Sequence, residues 1–420
     1  MQTTETKNRA AEVIARCQAL ASFSEDSGSM RRTFLSPPMR DCHREIARWM
    51  EPLGALVRVD AAGNLRGFYP GAPPSAPRLL IGSHLDTVPN AGVYDGALGV
   101  VLAVTLLEEL HGKRLPFAIE VVGFSEEEGV RFATPFIGSR ALVGRLDREL
   151  LNIRDARGVS VRRAIEEFGL NPQEIPQAEL ANDTLGYLEF HIEQGPVLEK
   201  LNLPLAAVDA IAGQSRLEFT FLGRANHAGT TPMDLRCDAL AGAAEWISTV
   251  ERAAHEVPGL VATVGKIEAR PGATNVIAAE ARLALDVRHS SNETRTRAVE
   301  DILRQAQGIA ARRGLSVRES SLLNQPAVTM NPFLVAEIED AILKTGCKPH
   351  RMMSGAGHDA MILAEKVPSA MIFLRTPGGI SHDPAESVAA EDVEKAIQCG
   401  LHLLDQLASS TEFQKRTTRA

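Results

Sequence analysis

Cysteine is scarce. The chain of 420 residues carries five, Cys17, Cys42, Cys237, Cys347 and Cys399, widely separated and without a CxxC pair. An odd and scattered set predicts reduced thiols and offers no disulfide framework, thiolate metal site or redox pair. Basic surplus is lacking too: Lys and Arg number 45 against 53 Asp and Glu, a formal net charge of −8. No basic stripe is available to neutralise phosphates, so a nucleic-acid partner is not expected. The one basic cluster, Lys415 to Arg419, reads as a frayed terminus. No apolar run approaches the roughly 20 residues that span a bilayer, and the opening MQTTETKNRA puts charge where a secretory leader needs an apolar core. A cytoplasmic protein with no membrane partner is expected. There is no GxSxG elbow, and Cys237 precedes a helical pattern without an evident base, so a serine or cysteine nucleophile has no support.

What is present is a globular composition, 44% hydrophobic and 23% charged, in a chain too long for one ordinary core. Early on, a strand ending near Ile81, a helical pattern over Leu98, Val101, Leu102, Leu106 and Leu110, and an apolar strand Phe117–Phe124 read as a parallel α/β unit. The sites of such units lie at the carboxyl ends of the strands. A helix with Ser36 as its N-cap and Pro37-Pro38 in its first turn precedes it, and a hairpin turns around residues 61–64. From Arg216 to Leu323 the texture changes to β-α-β-β-α-β, the ferredoxin-like order, which is complete in itself and reads as an insertion. Helix, strand and helix over 332–408 resume the first texture. The expected division is 1–214, 215–328 and 329–420, the outer segments forming one domain.

The stretch IGSHLDTVPNAGVYDGALGV (81–100) organises the site. Strand alternation sets His84 and Asp86 on one side of the chain, where His84 can ligate a metal while Asp86 accepts from its other ring nitrogen. A turn then presents Asp95 just before a helix, placed to bridge two cations. Glu126-Glu127-Glu128 follows a buried strand directly, which is a costly place for idle charge. Its neighbours divide the work: Glu128 as a ligand, Glu127 holding the water and taking its proton. YLEFHIEQGPVLE supplies His191 and GISHDP supplies His382. Singly, each histidine would be an ordinary strand-end or turn residue. Together with Asp95 and Glu128 they form an imidazole and carboxylate set suited to two divalent ions, zinc first, with manganese, cobalt or nickel as alternatives.

GSHLDTVPNAGVYDG, SEEEGVRF, FHIEQGPVLE, ANHAGTTPM, GATNV and SHDPAE, collinear from about Ile14 to Leu407, resemble the amidase/hydantoinase-carbamoylase branch of metallopeptidase family M20. The resemblance implies a zinc-peptidase-like α/β catalytic domain, a mixed sheet flanked by helices, interrupted by a ferredoxin-like α+β domain that acts as lid and dimerisation surface. It implies that His84 and His382 serve separate metals, that Asp95 bridges them, that Glu128 binds one and His191 the other, and that Glu127 is the general base. Gln194, Arg216, His227, Asn275, Arg288 and His358 would surround the substrate. His227, in a loop after the first lid strand, would polarise the reacting carbonyl, and the guanidinium forks of Arg216 and Arg288 match a carboxylate.

The expected activity is therefore hydrolysis of the ureido group of an N-carbamoyl-L-amino acid to the amino acid, carbon dioxide and ammonia by a homodimer. Allantoate is the next substrate, then N-carbamoyl-β-alanine, then peptides or N-acyl amino acids. A binding protein that had merely kept the fold would have lost the base or a ligand, and all are present.

Overall fold

The computed structural model describes residues 2–411 and 413, so the basic cluster from Lys415 to Arg419 lies outside the described residues. The chain opens with two helices, α1 (Gln2–Ala21) and α2 (Pro37–Met50), and an antiparallel hairpin of β1 (Leu56–Val59) and β2 (Leu65–Tyr69). Ser36 occupies the N-cap of α2 but its hydroxyl caps nothing. The second helical residue, Pro38, has no N–H to offer, and the N–H of Met39 donates to the Ser36 carbonyl instead. The hairpin turn is held by Asp60, whose carboxylate accepts the N–H groups of Ala62 and Asn64, each at 3.0 Å.

Next come β3 (Arg78–His84), α3 (Ala97–Glu109) and β4 (Ala118–Phe124). Every residue of β4, and all but the first of β3, is buried. Such near-continuous apolar runs belong to strands covered on both faces. The helix α3 is buried from Ala97 to Leu107 and lies against β3 and α1. Each of its buried Leu and Val side chains contributes about 1.5–3 kcal/mol. Residues 134–183 form short helices α4 (Ile137–Leu142), α5 (Arg148–Asn152) and α6 (Val161–Glu167). They enclose a satellite core around Phe34, Ile137, Val161 and Ile165. After these run β5 (Thr184–Ile192), α7 (Val197–Leu201) and β6 (Leu205–Ile211).

The described residues form two compact units, one reaching Asp209 and resuming at Met330, the other spanning Ala210–Thr329. The second unit runs β7 (Gly213–Leu222), α8 (Ala239–Glu256), β8 (Val261–Arg270), β9 (Glu280–His289), α9 (Asn292–Arg312) and β10 (Ser316–Gln325). Its four strands lie in the order β10-β7-β9-β8, all antiparallel. Inward residues of β7 and β9 alternate with outward ones and pack on Trp246 of α8, whose indole lies 4.3 Å from the ring of Phe219 and donates to the Ile302 carbonyl at 3.2 Å.

The chain returns through β11 (Val328–Thr329), α10 (Pro332–Lys344), β12 (Arg351–Ser354), α11 (Asp359–Leu363), β13 (Ser369–Leu374) and α12 (Ala390–Ser409). Its large sheet has the order β1-β2-β4-β3-β5-β13-β6-β11, with β12 beside β6. The central strands β4, β3, β5 and β13 are mutually parallel while β2 and β6 flank them antiparallel. Four carboxyl ends therefore share one edge. Among the described residues no helix is long and apolar enough to cross a membrane.

Candidate metal centre

That edge gathers the histidines and carboxylates. His84 is the last residue of β3 and His191 the last but one of β5; both are buried, 2% and 1% exposed. Asp95 precedes α3, and the next residue, Gly96, has φ 67°, with room for no Cβ because that atom would lie 2.5 Å from the His84 ring. Only glycine allows the turn that brings Asp95 against the strand ends.

Asp95 divides its oxygens. Its Oδ1 lies 3.4 Å from His84 Nε2 and 3.1 Å from His191 Nε2, and its Oδ2 lies 3.1 Å from His382 Nε2. Glu128 Oε1 is 3.6 Å from His382 Nε2. Two clusters follow, an inner one of His84, Asp95 and His191 and an outer one of Asp95, Glu128 and His382, each with ligand atoms within 4.8 Å of one another. Glu127 joins His84 and Glu128 in a third such group.

The donor chemistry fits cations. His84 Nδ1 stands 2.9 Å from the Asp86 carbonyl and His191 Nδ1 2.9 Å from the Ile192 carbonyl, so each ring commits its N–H to backbone. The two Nε2 atoms, 3.4 Å apart, then turn lone pairs toward each other and toward Asp95 Oδ1. A divalent ion resolves that clash; without one, a proton must. The electrostatics point the same way. Burial pushes the His84 imidazole down, but Asp95, Glu127 and Asp86 outweigh it and hold it well above its usual range. Burial pushes the Asp95 carboxyl up, but His191, His382 and His84 hold it well below. Burial and the neighbouring Glu128 charge raise Glu127 well above a normal glutamate despite His84, and burial with Asp95 raises Glu128 to about 7. Among the described residues no Lys or Arg side chain pairs with Asp86, Asp95, Glu126, Glu127, Glu128 or Glu189. Buried carboxylates without basic partners demand another source of positive charge.

Asp86 acts on His84 through its backbone carbonyl and not, as strand alternation implied, through its carboxylate. The strand stops at His84, the peptide turns its carbonyl to the ring, and the Asp86 carboxylate stays 3.7 Å away. It accepts instead the N–H groups of Glu127 at 2.9 Å and Glu128 at 3.0 Å. Asp86 thus positions the two glutamates. Glu126, in left-handed conformation with φ 51°, accepts the N–H groups of Phe34, Arg131 and Phe132 and pins the same loop.

Gln194 Nε2 donates to Asp95 Oδ2 at 2.9 Å and lies 3.2 Å from Ser381 Oγ. His358 is buried behind His191, ring centroids 4.5 Å apart, with Nε2 2.8 Å from Ser354 Oγ. It touches the centre through His191. Sequence reasoning missed Glu189, which is fully buried two residues before His191 and meets Ser83 Oγ at 3.1 Å and the Ala360 N–H at 2.9 Å. A charge inside an apolar strand was the available signal. It also missed the work of Glu386, the last residue of the SHDPAE motif.

Arg216, His227, Asn275 and Arg288 belong to the second unit. Arg216 on β7 and Arg288 on β9 both donate to Asp286, at 3.0 and 2.8 Å. The exposed His227 ring accepts the N–H groups of Gly229 and Thr230, and its loop pairs with that of Asn275 through Ala228 N–H to Asn275 O at 2.9 Å.

Against known proteins, residues 80–406 match the family model for Peptidase family M20/M25/M40. The chain is 39% identical to an N-carbamoyl-L-amino acid amidohydrolase of Geobacillus stearothermophilus, over 91% of this chain and 95% of that protein. It is 37% identical to allantoate deiminase 2 of Glycine max, over 94% and 89%. A solved hydantoinase/carbamoylase-family amidase of Burkholderia multivorans superposes with a TM-score of 0.89 at 29% identity, covering 96% of this chain and 98% of the other.

Proposed function

The chain belongs to peptidase family M20/M25/M40 and is a hydrolase of carbon–nitrogen bonds other than peptide bonds in linear amides; from that premise we propose that it cleaves the ureido group of an N-carbamoyl-L-amino acid. The observation that carries the reading is one buried carboxylate, Asp95, shared by two ligand clusters, the N–H groups of both inner imidazoles being committed to backbone carbonyls.

His84, Asp95 and His191 would hold one divalent ion and Asp95, Glu128 and His382 the other. Bound there, the ions lower the pKa of a water and polarise the ureido carbonyl. Glu127, kept protonatable by burial and by the Glu128 charge, takes the proton of the attacking water and returns it to the departing nitrogen. Asp86 keeps Glu127 beside Glu128 by holding both backbone N–H groups. Arg216, Asn275 and Arg288 would bind the substrate carboxylate and His227 the carbonyl oxygen. The inserted unit would act as lid and as the contact between two copies.

A second substrate, allantoate, has specific support in the 37% identity to allantoate deiminase 2 over nearly the whole chain. The test is ammonia release by metal-reconstituted protein from N-carbamoyl-L-amino acids, allantoate and N-carbamoyl-β-alanine, with Glu127→Gln as control. Carbamoyl amino acids should dominate, and the variant should fall about 10²–10⁴-fold, the range of a lost general base. Ammonia from allantoate alone would move the assignment to the second substrate, and an undiminished Glu127→Gln would remove the base.

A further inference from the structure

The two ligand clusters are supported unequally. His84 and His191 end buried strands that pair in parallel around the sheet centre. His382 has no such support: it lies on a loop, in left-handed backbone with φ 58°, and its side chain is 48% exposed. Two side chains tie this loop to the rest of the centre: Gln194, whose Nε2 lies 3.2 Å from Ser381 Oγ and 3.4 Å from His382 Nε2, and Glu386, itself only 5% exposed. Its Oε1 accepts the N–H of Tyr94 at 2.8 Å and that of Asp95 at 3.0 Å. Its Oε2 lies 3.3 Å from Ser381 Oγ, beside His382, and the Ser381 hydroxyl is 3.4 Å from Asp95 Oδ2. One carboxylate thus grips the backbone of the shared aspartate with one oxygen and the neighbour of the outer histidine with the other.

The chain makes room for this contact. A Cβ on Gly92 would stand 2.4 Å from both Glu386 Cβ and Glu386 Oε1, so any larger residue at 92 displaces the glutamate. Within the loop, the N–H of Ala385 donates to the Asp383 carboxylate at 2.8 Å and the N–H of Glu386 to the Asp383 carbonyl at 3.0 Å. The turn is therefore stiff between His382 and its anchor.

We propose that Glu386 is a positioning residue that sets the affinity of the outer cation position, formed by Asp95, Glu128 and His382, and leaves the inner position, formed by His84, Asp95 and His191, largely alone. This rests on the two-metal reading above. Both inner histidines keep their geometry from β3 and β5, and Glu128 keeps its own through Asp86, whereas the loop of the outer histidine is braced against Asp95 by Glu386. Outer partners of metal ligands typically change metal affinity 10–100-fold when removed.

The test is equilibrium dialysis of chelator-stripped protein against Co²⁺, with bound metal counted and the visible Co²⁺ absorption recorded. Wild type is compared with Glu386→Gln, which keeps the size but not the charge, and with Gly92→Ala, which keeps the carboxylate but pushes it aside. Wild type should bind two ions. Either folded variant should bind the first ion within threefold of wild type and the second 10–100-fold more weakly, at unchanged melting temperature of the stripped protein. Second-ion affinity equal to wild type in the variants, or equal weakening of both ions, overturns the proposal. Fewer than two ions on the wild type overturns the two-metal reading itself.

Discussion

His84 and His43 are both buried histidines of the same unit, 2% and 4% exposed, yet their surroundings drive them in opposite directions. Around His84 stand Asp95, Glu127 and Asp86, which outweigh burial and favour the charged ring. His43 has neither ring nitrogen hydrogen-bonded; burial, then Arg32 and Arg40, push it down to about 3. Burial alone makes a neutral packing residue of a histidine. It is the convergence of carboxylates without basic partners that marks a cation site, and the same test separates Asp95 from Asp60, whose nearby Arg66 is an ordinary buried cation.

The comparison breaks most visibly if the carboxylate-ringed histidines prove dispensable. His191→Ala should remove the inner ion and lower turnover by at least about 10³-fold, whereas His382→Ala should keep one tightly bound ion; metal counting on the purified variants checks both. The loss in turnover follows from losing a ligand at a site that supplies several kcal/mol of transition-state stabilisation. Next, Asp86→Asn should cost about 10–100-fold in kcat, the usual effect of an outer partner. It should do so with the first-ion affinity preserved, since the Asp86 carboxylate holds the N–H groups of Glu127 and Glu128 while the His84 ring is held by the backbone carbonyl, which the variant keeps.

The smallest effect sharpens the other side. The folded pKa of His43, about 3, lies below the unfolded value of 6.5. The unfolded chain therefore binds the extra proton first as pH falls, and stability is full above about pH 6.5 and declines toward pH 3. Between pH 6.5 and 5 this group should withdraw about 1.6 kcal/mol, the slope approaching 1.36 kcal/mol per unit only once the unfolded imidazole is mostly protonated. A His43→Leu variant should lose less of its melting temperature over that interval than wild type does. An equal loss in the two proteins would show that His43 finds a proton acceptor in the fold.

Much of this was legible in the chain because local rules carried it. The apolar runs Arg78–Ile81 and Phe117–Phe124 read as buried strands and form Arg78–His84 and Ala118–Phe124, and the ligand residues stand at strand ends or in turn-rich motifs, where sequence pattern and position coincide. What escaped depended on contacts between distant segments. Strand alternation assigned the Asp86 carboxylate to His84, but the strand ends at His84, two residues before Asp86. Glu386 holds residues nearly three hundred positions away, which no periodicity encodes. Residues 134–183 have short helices capped by Asp147 and Ser160, too short for a helical period to show.

The central claim is that Asp95 is shared between two cation positions. The most direct measurement is anomalous diffraction from crystals of the protein grown with Zn²⁺ or Co²⁺. The account predicts two peaks about 3.5–4 Å apart, the spacing of two-metal sites, one bonded to His84 and His191, the other to Glu128 and His382, with an Asp95 oxygen on each. A single peak, or two peaks that do not share Asp95, would contradict it.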